Sequence, residues 1–229
     1  MHRLFLFFLL LNQISFAQPN YGGYDKLLQK HVSEEGKVNY KLLKTNKLQL
    51  DSVVKIFQAT APQTSWPKNE QLAYWLNAYN LFTLQLMTNN FPVSSITKLD
   101  NGKPWDVKRI EIGGKKYSLN EIENDIIRPQ FKDPRIHFAL NCAAKSCPPL
   151  HNEAFTAANV QTLLEQRTRK FVRSSANTIT TKNPKISKIF DWYAADFGNP
   201  IAFLNKYAKS KIASDAKIEY AEYDWRLND

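Results

Sequence analysis

Apolar residues recur at three- and four-residue spacing through most of the first half of the chain, so helices are the first elements the pattern predicts. Tyr24 to His31 and Tyr40 to Ala59 both follow it, the second through Leu42, Leu43, Leu48, Leu50, Val53, Val54 and Phe57, with Gly36 between them. After Pro62 and Pro67 comes the longest helical stretch, Asn69 to Asn89. There Leu72, Trp75, Leu76, Tyr79, Phe82, Leu86 and Met87 make an apolar face wide enough for a central helix. Phe91-Pro92 ends it. Trp105 to Ile112 and Lys115 to Ser118 flank Gly113-Gly114, which predicts a hairpin because two glycines supply the positive φ of its turn.

The second half mixes periods. Ser118 to Glu121 reads as a helix cap before Ile122, Ile126 and Ile127, giving a short helix that stops before Pro129. Arg135 to Leu140 is predicted as a buried strand running into Asn141-Cys142. Thr156 to Val172 is an amphipathic helix with Val160, Leu163, Leu164 and Phe171 inward. Asn177 to Thr181 and Lys185 to Ile189 form a second hairpin about Asn183-Pro184, Pro200 to Ser210 is a helix, and the end is extended. The expected class is α+β, with a helical first half whose central apolar helix packs on a small, mostly antiparallel sheet.

Composition adds a compartment and little about partners. The first 17 of the 229 residues have a basic start, an apolar run from Leu4 to Leu11 and a small-x-small site ending at Ala17, the pattern of a secretory signal. The expectation is therefore an exported protein, periplasmic or secreted, with one domain over residues 18–229 and no stable membrane insertion. The formal charge is +10, but the lysines are scattered from Lys26 to Lys217, which reads as a solvated basic surface and not as a nucleic-acid patch. A small molecule, a peptide or an envelope polymer is the expected ligand class, with the oligomeric state left open.

The chemistry concentrates in Asp133 to Leu150, DPRIHFALNCAAKSCPPL, which holds His137 and the chain's two cysteines, Cys142 and Cys147. In an exported chain an even pair of cysteines reads most simply as a disulfide. Bridging Cys142 to Cys147 closes so short a loop that the entropic gain is only ~2 to 3 kcal/mol, so it serves shape. The preferred role is a clamped loop presenting a ligand-binding rim. The sharpest enzymatic alternative is a thiol hydrolase or acyltransferase with Cys142 as nucleophile, His137 as base, and Asn77 or Glu123 orienting it. On a straight strand, positions 137 and 142 face opposite ways, so this pair needs the chain to turn at Asn141. Zinc is a third reading, from His137, Cys142, Cys147 and His151 in an H-x4-C-x4-C-x3-H arrangement, but export favours oxidised thiols. No cofactor is predicted, since no glycine-rich nucleotide motif, H-E-x-x-H or G-x-S-x-G occurs.

Asn77 and Asn80, three apart beside the apolar face, are buried amides that need partners, and tying loop backbone to the helix is their expected job. Arg128, Arg135, Asn80 and Asn141 are the candidate binding residues. The aspartates Asp191, Asp196 and Asp224 stand among aromatic blocks, as acceptors for buried partners or for those arginines. The aromatics Phe190, Trp192, Tyr193, Tyr220, Tyr223 and Trp225 read first as core and second as a stacking platform.

Five segments in order, YWLNAYN, SLNEIENDIIR, DPRIHFALNCAAKSCPPL, KIFDWYAADF and YAEYDWRLN, resemble the blocks of the domain-of-unknown-function 547 family from about Asn69 to the C-terminus. The resemblance marks Asn77, Glu123, Arg128, Arg135, His137, Cys142 and Cys147 as important without assigning chemistry. Many relatives carry His where this chain has Asn124. In class the domain is at most remotely similar to papain-like and transglutaminase-like thiol enzymes, which place their nucleophile at a helix N-terminus.

Overall fold

The computed structural model describes residues 20–229; the segment read as a secretory signal lies outside them. Helix α1 (Gly22–His31) buries Tyr24, Leu27, Leu28 and His31, one stripe at helical spacing. The single helix predicted over Tyr40 to Ala59 is two, α2 (Tyr40–Thr45) and α3 (Lys47–Ala59). The chain leaves helical geometry at Asn46, whose side-chain amide caps the Leu42 carbonyl at 3.0 Å. Competition from a short polar side chain for the backbone explains the break.

Helix α4 (Lys68–Asn90) is buried on nearly every face from Leu72 to Leu84, as a core helix must be. Tyr74 ties it to α3 through a 2.8 Å bond from its hydroxyl to the Phe57 carbonyl. The predicted hairpin forms with β1 (Ile110–Ile112) and β2 (Lys115–Tyr117) antiparallel about the two positive-φ glycines. It meets α4 where Tyr117 packs edge-on against Trp75.

The predicted cap at Ser118 is a reciprocal box: Ser118 Oγ accepts from the Glu121 N–H at 3.0 Å, and the Glu121 carboxylate accepts from the Ser118 N–H at 2.9 Å. The helix it starts is wider and longer than the sequence suggests. A π-helix, Glu121–Ile127, runs straight into α5 (Arg128–Phe131), because Pro129 sits in the first turn of α5, where a missing N–H costs nothing.

The buried strand predicted at Arg135 to Leu140 is instead a 3-10 helix, Pro134–Phe138. Asp133 caps it by accepting from the Arg135 N–H at 2.9 Å, and Pro134 supplies the first residue. Helix α6 (Val160–Val172) follows. Strand β3 (Lys185–Ile186) pairs parallel with β4 (Glu219–Tyr220), while Thr178 and Lys185 keep one antiparallel bridge of the hairpin predicted there. Short helices α7 (Ile189–Trp192), α8 (Ala194–Phe197) and α9 (Pro200–Tyr207) lie between those strands.

The protein is thus α+β; among the described residues the antiparallel pair β1–β2 makes a small sheet of the expected kind, and β3–β4 form a separate parallel pair. Two apolar clusters form its core, one around α4 and one built on Phe138, Phe171, Phe190, Phe197 and Phe203. Ile136 belongs to the first and Phe138 to the second, which sets His137 at the seam between them.

Candidate active site

The seam opens into a cavity of ≈ 180 Å³ whose lining includes His137, Glu123, Cys142, Cys147, Tyr79 and Tyr223. That is smaller than the ~300 to 1,000 Å³ of most ligand sites, so it suits one side chain or acyl group. Trp105, Trp192 and Trp225 form one wall, with Trp225 within 5.8 Å of both other indoles, centroid to centroid.

His137 is 4% exposed, and its ring stacks on Tyr193 at 3.8 Å. Its Nε2 lies 2.7 Å from Asp196 Oδ2. Arg128 grips the same carboxylate with two N–H groups, at 2.6 and 2.9 Å. Burial works against the Asp196 charge, but the bonds from Arg128 and His137 win and hold its carboxyl below the ordinary range. An ionised Asp196 can only accept, so Nε2 carries the imidazole proton and Nδ1 is left as the basic nitrogen. Glu123 Oε1 lies 4.0 Å from Nδ1. Burial raises the Glu123 carboxyl, while the facing hydroxyls of Tyr193 and Tyr79 favour its charge. Burial also pushes His137 down to about 4, so its imidazole is neutral at neutral pH.

The cysteine loop is held from three sides. Asn80, on α4, accepts from the Asn141 N–H and donates to the Ala139 carbonyl, both at 2.9 Å. Asn141 in turn donates to the Pro148 carbonyl at 2.9 Å and accepts from the Ala143 N–H at 3.0 Å, across the loop's two ends. The C-terminal segment supplies the third side: the Lys145 N–H donates to the Arg226 carbonyl at 2.8 Å, and Ser146 Oγ accepts from the Asp224 N–H at 2.8 Å. Ala143 adopts φ 61° within this frame, a conformation an alanine takes only when its surroundings impose it.

Both cysteines are free thiols in this structure. They are unequal. Cys142 is half-buried with its Sγ 3.2 Å from the Tyr223 hydroxyl, whereas Cys147 is buried and its Sγ accepts the Cys142 N–H at 2.9 Å. Hydrogen bonding from Cys147, aided by Tyr223, pulls the Cys142 thiol below its usual value against the effect of burial. Burial pushes Cys147 well up, so Cys147 stays protonated.

Not every predicted site residue reaches the cavity. Asn77 does not: its amide is used in both directions by Phe155, at 2.7 and 2.9 Å, so α4 reaches the cavity through Tyr79 instead. Arg135 is bound to Asp133 and Gln161 and ties the 3-10 helix to α6. Arg128 acts through Asp196. Asn80 and Asn141 shape the loop. The four zinc-type ligands do not gather: His151 faces Glu153 and Phe155, and among the described residues no three His, Cys, Asp or Glu groups are placed to hold a metal. The expected pairing of an interleaved aspartate with Arg128 is found at Asp196, while Asp191 pairs with Lys188 and Asp224 with Arg226.

Phe190 is core as read, but Trp192, Tyr193, Tyr223 and Trp225 line the cavity. Their signal was the interleaving of aromatics with aspartates in DWYAAD and EYDW. Asn124 accepts from Arg128 at 2.8 Å and so supports the arginine that holds Asp196.

These contacts define a helix-rich α+β protein with a half-buried thiol opening onto the same cavity as a histidine held by aspartate. Over residues 63–172 its sequence matches the family described as Protein of unknown function, DUF547. Neither a curated protein nor a solved structure matches the chain. The matched stretch carries Glu123, His137, Cys142 and Cys147, while Tyr193, Asp196 and Tyr223 come from the residues beyond it. No helix among the described residues is long and apolar enough to cross a membrane.

Proposed function

We propose that the protein is a thiol-dependent hydrolase or acyltransferase that works in the cell envelope after export. One observation carries the reading: the Cys142 thiol, lowered in pKa by its neighbours, opens onto the same cavity as a neutral imidazole whose far nitrogen is fixed by Asp196. A nucleophile, a base and an orienting carboxylate are the parts such chemistry needs. In this scheme His137 Nδ1 takes the Cys142 proton, directly or through one water, and the thiolate attacks an acyl carbonyl. The imidazolium, opposite Asp196 and near Glu123, then protonates the leaving group. Water or an acceptor nucleophile releases the acyl group from sulfur. Asp196 takes the orienting role the sequence offered to Asn77 or Glu123, and Glu123 adds negative charge beside the imidazolium. The Tyr223 hydroxyl beside Sγ is placed to donate to charge developing there.

A second reading, a ligand-binding module, is favoured by the three-indole wall, which offers broad π faces to an apolar or sugar ligand. The two separate on one experiment. Incubation with a small aryl thioester, followed by peptide mass spectrometry, is expected to give an acyl adduct on Cys142 that is absent in Cys142→Ser and strongly reduced in His137→Gln. Unaltered Cys142 in the wild type, with saturable binding retained in Cys142→Ser, leaves the binding module as the answer. Export is checked separately by the N-terminus of the mature protein, expected at Gln18.

A further inference from the structure

We propose that Cys142 and Cys147 also act as a dithiol pair that reduces disulfides, Cys142 attacking the substrate disulfide and Cys147 resolving the mixed disulfide. The inference rests on Cys142 being the nucleophile of the reading above, and it adds a role for the second thiol, which acyl transfer does not use.

The pair has the asymmetry that exchange requires. Cys142 is the more exposed residue and its Sγ faces the Tyr223 hydroxyl; Cys147 is 7% exposed, lies against the Cys142 backbone N–H at 2.9 Å, and points toward the Leu140 carbonyl at 3.7 Å. Both border the cavity, so a sulfur arriving at Cys142 arrives beside Cys147. The attacking thiol of such a pair is the one with thiolate character, and the resolving thiol is the protected one. The loop is also set in advance. Asn141 braces both its ends, and the pairing of Ala144 with Leu227 pins its middle, so the sulfurs stay neighbours through the cycle. The small cavity with its indole wall accepts the apolar part of a disulfide and limits water at the sulfurs.

The steps balance. Cys142 gives its proton to His137 Nδ1, and its thiolate attacks one sulfur of R–S–S–R, breaking that bond. The departing thiolate takes the proton from the imidazolium, leaving Cys142 in a mixed disulfide. Cys147 then gives up its proton, its sulfur attacks Cys142 Sγ, and the second R–S⁻ leaves and takes that proton. The substrate disulfide gains two electrons and becomes two thiols, while the dithiol loses two electrons and becomes the Cys142–Cys147 disulfide. The disulfide expected from the sequence is then the oxidised end state of the pair.

The test uses the reduced full-length mature protein with glutathione disulfide in one arm and a disulfide-bonded peptide in the other, followed by intact mass and peptide mapping. In whichever arm reacts, wild type is expected to end with Cys142 bonded to Cys147 and no retained adduct, Cys147→Ser to stall with the adduct on Cys142, and Cys142→Ser to react at least tenfold more slowly. A wild type that keeps the adduct on Cys142 and never bonds it to Cys147, or that reacts in neither arm, overturns the proposal. The wild-type map decides even if a variant misfolds. The aryl thioester reaction of the wild type is run alongside: acylation of Cys142 with failed exchange in the wild type sinks only the dithiol role, and lost acylation with successful exchange in the wild type sinks only the acyl-transfer reading.

Discussion

Asp196 is the residue whose chemistry changes most between the chain and the fold. In the sequence it is one of three aspartates set among aromatic residues; folded, it alone of the three meets His137 and Arg128. Asp196→Asn removes the charge that fixes the imidazole tautomer, and losses of ~10⁴-fold are known for such a change in triad enzymes. A fall of at least ~100-fold in acylation rate with a preserved fold is expected here, measured by stopped-time mass spectrometry on Cys142. His137 also makes stability depend on pH. In the unfolded chain an imidazole titrates near ~6.5, whereas the folded one is held to about 4 by burial. Between these values the unfolded state binds the extra proton, so the contribution is whole above ~6.5 and is lost as pH falls toward 4. His151, lowered to about 4 as well, adds the same sign. Thermal melts from pH 7 to 4 are therefore expected to lose less stability in His137→Gln than in wild type; equal losses would contradict the assignment.

At the scale of elements, the two asparagines of α4 separate structure from site. Asn77 holds Phe155 and Asn80 holds the cysteine loop, each by a donor and an acceptor. Replacing either with Ala strands buried backbone groups at a cost of about 1 to 3 kcal/mol. Chemical denaturation is expected to register both losses. Only Asn80→Ala is expected to change the alkylation rate of Cys142 as well; an equal change in Asn77→Ala would show that the loop is not held independently. The same helix illustrates what the chain makes legible. Its length and wide apolar surface come from periodicity alone, and so does the need of its amides for partners. The segment after it misleads, because apolar composition in RIHFAL suits a buried strand as well as a 3-10 turn. The Asp-Pro start decides for the turn through a side-chain cap, and that turn brings His137 to the cavity that Cys142 also lines.

In the molecule as a whole the site is assembled from distant stretches. α4 gives Tyr79, the π-helix gives Glu123, the 133–150 segment gives His137 and both thiols, and residues 192–225 give the aspartate and most of the aromatic wall. Helices that carry their own period were readable, but a pairing across 59 residues, such as His137 with Asp196, has no local signature. The C-terminal segment closes the assembly. The Asn228 carbonyl accepts from Val38, its N–H donates to Ala143, and Leu227 donates to Ser94, so the segment leading into α2, the cysteine loop and the chain after α4 meet there. Truncation before Leu227 is expected to lower the melting temperature and to expose Cys147 to alkylation; protection of Cys147 in the truncated protein would contradict that closure. The inequality of the two thiols is tested most directly by the pH dependence of iodoacetamide alkylation in the fully reduced protein. Cys142 is expected to react selectively, with an apparent pKa below the ~8.5 of an unperturbed thiol and Cys147 spared; equal modification of the two, or an inert Cys142, would contradict it.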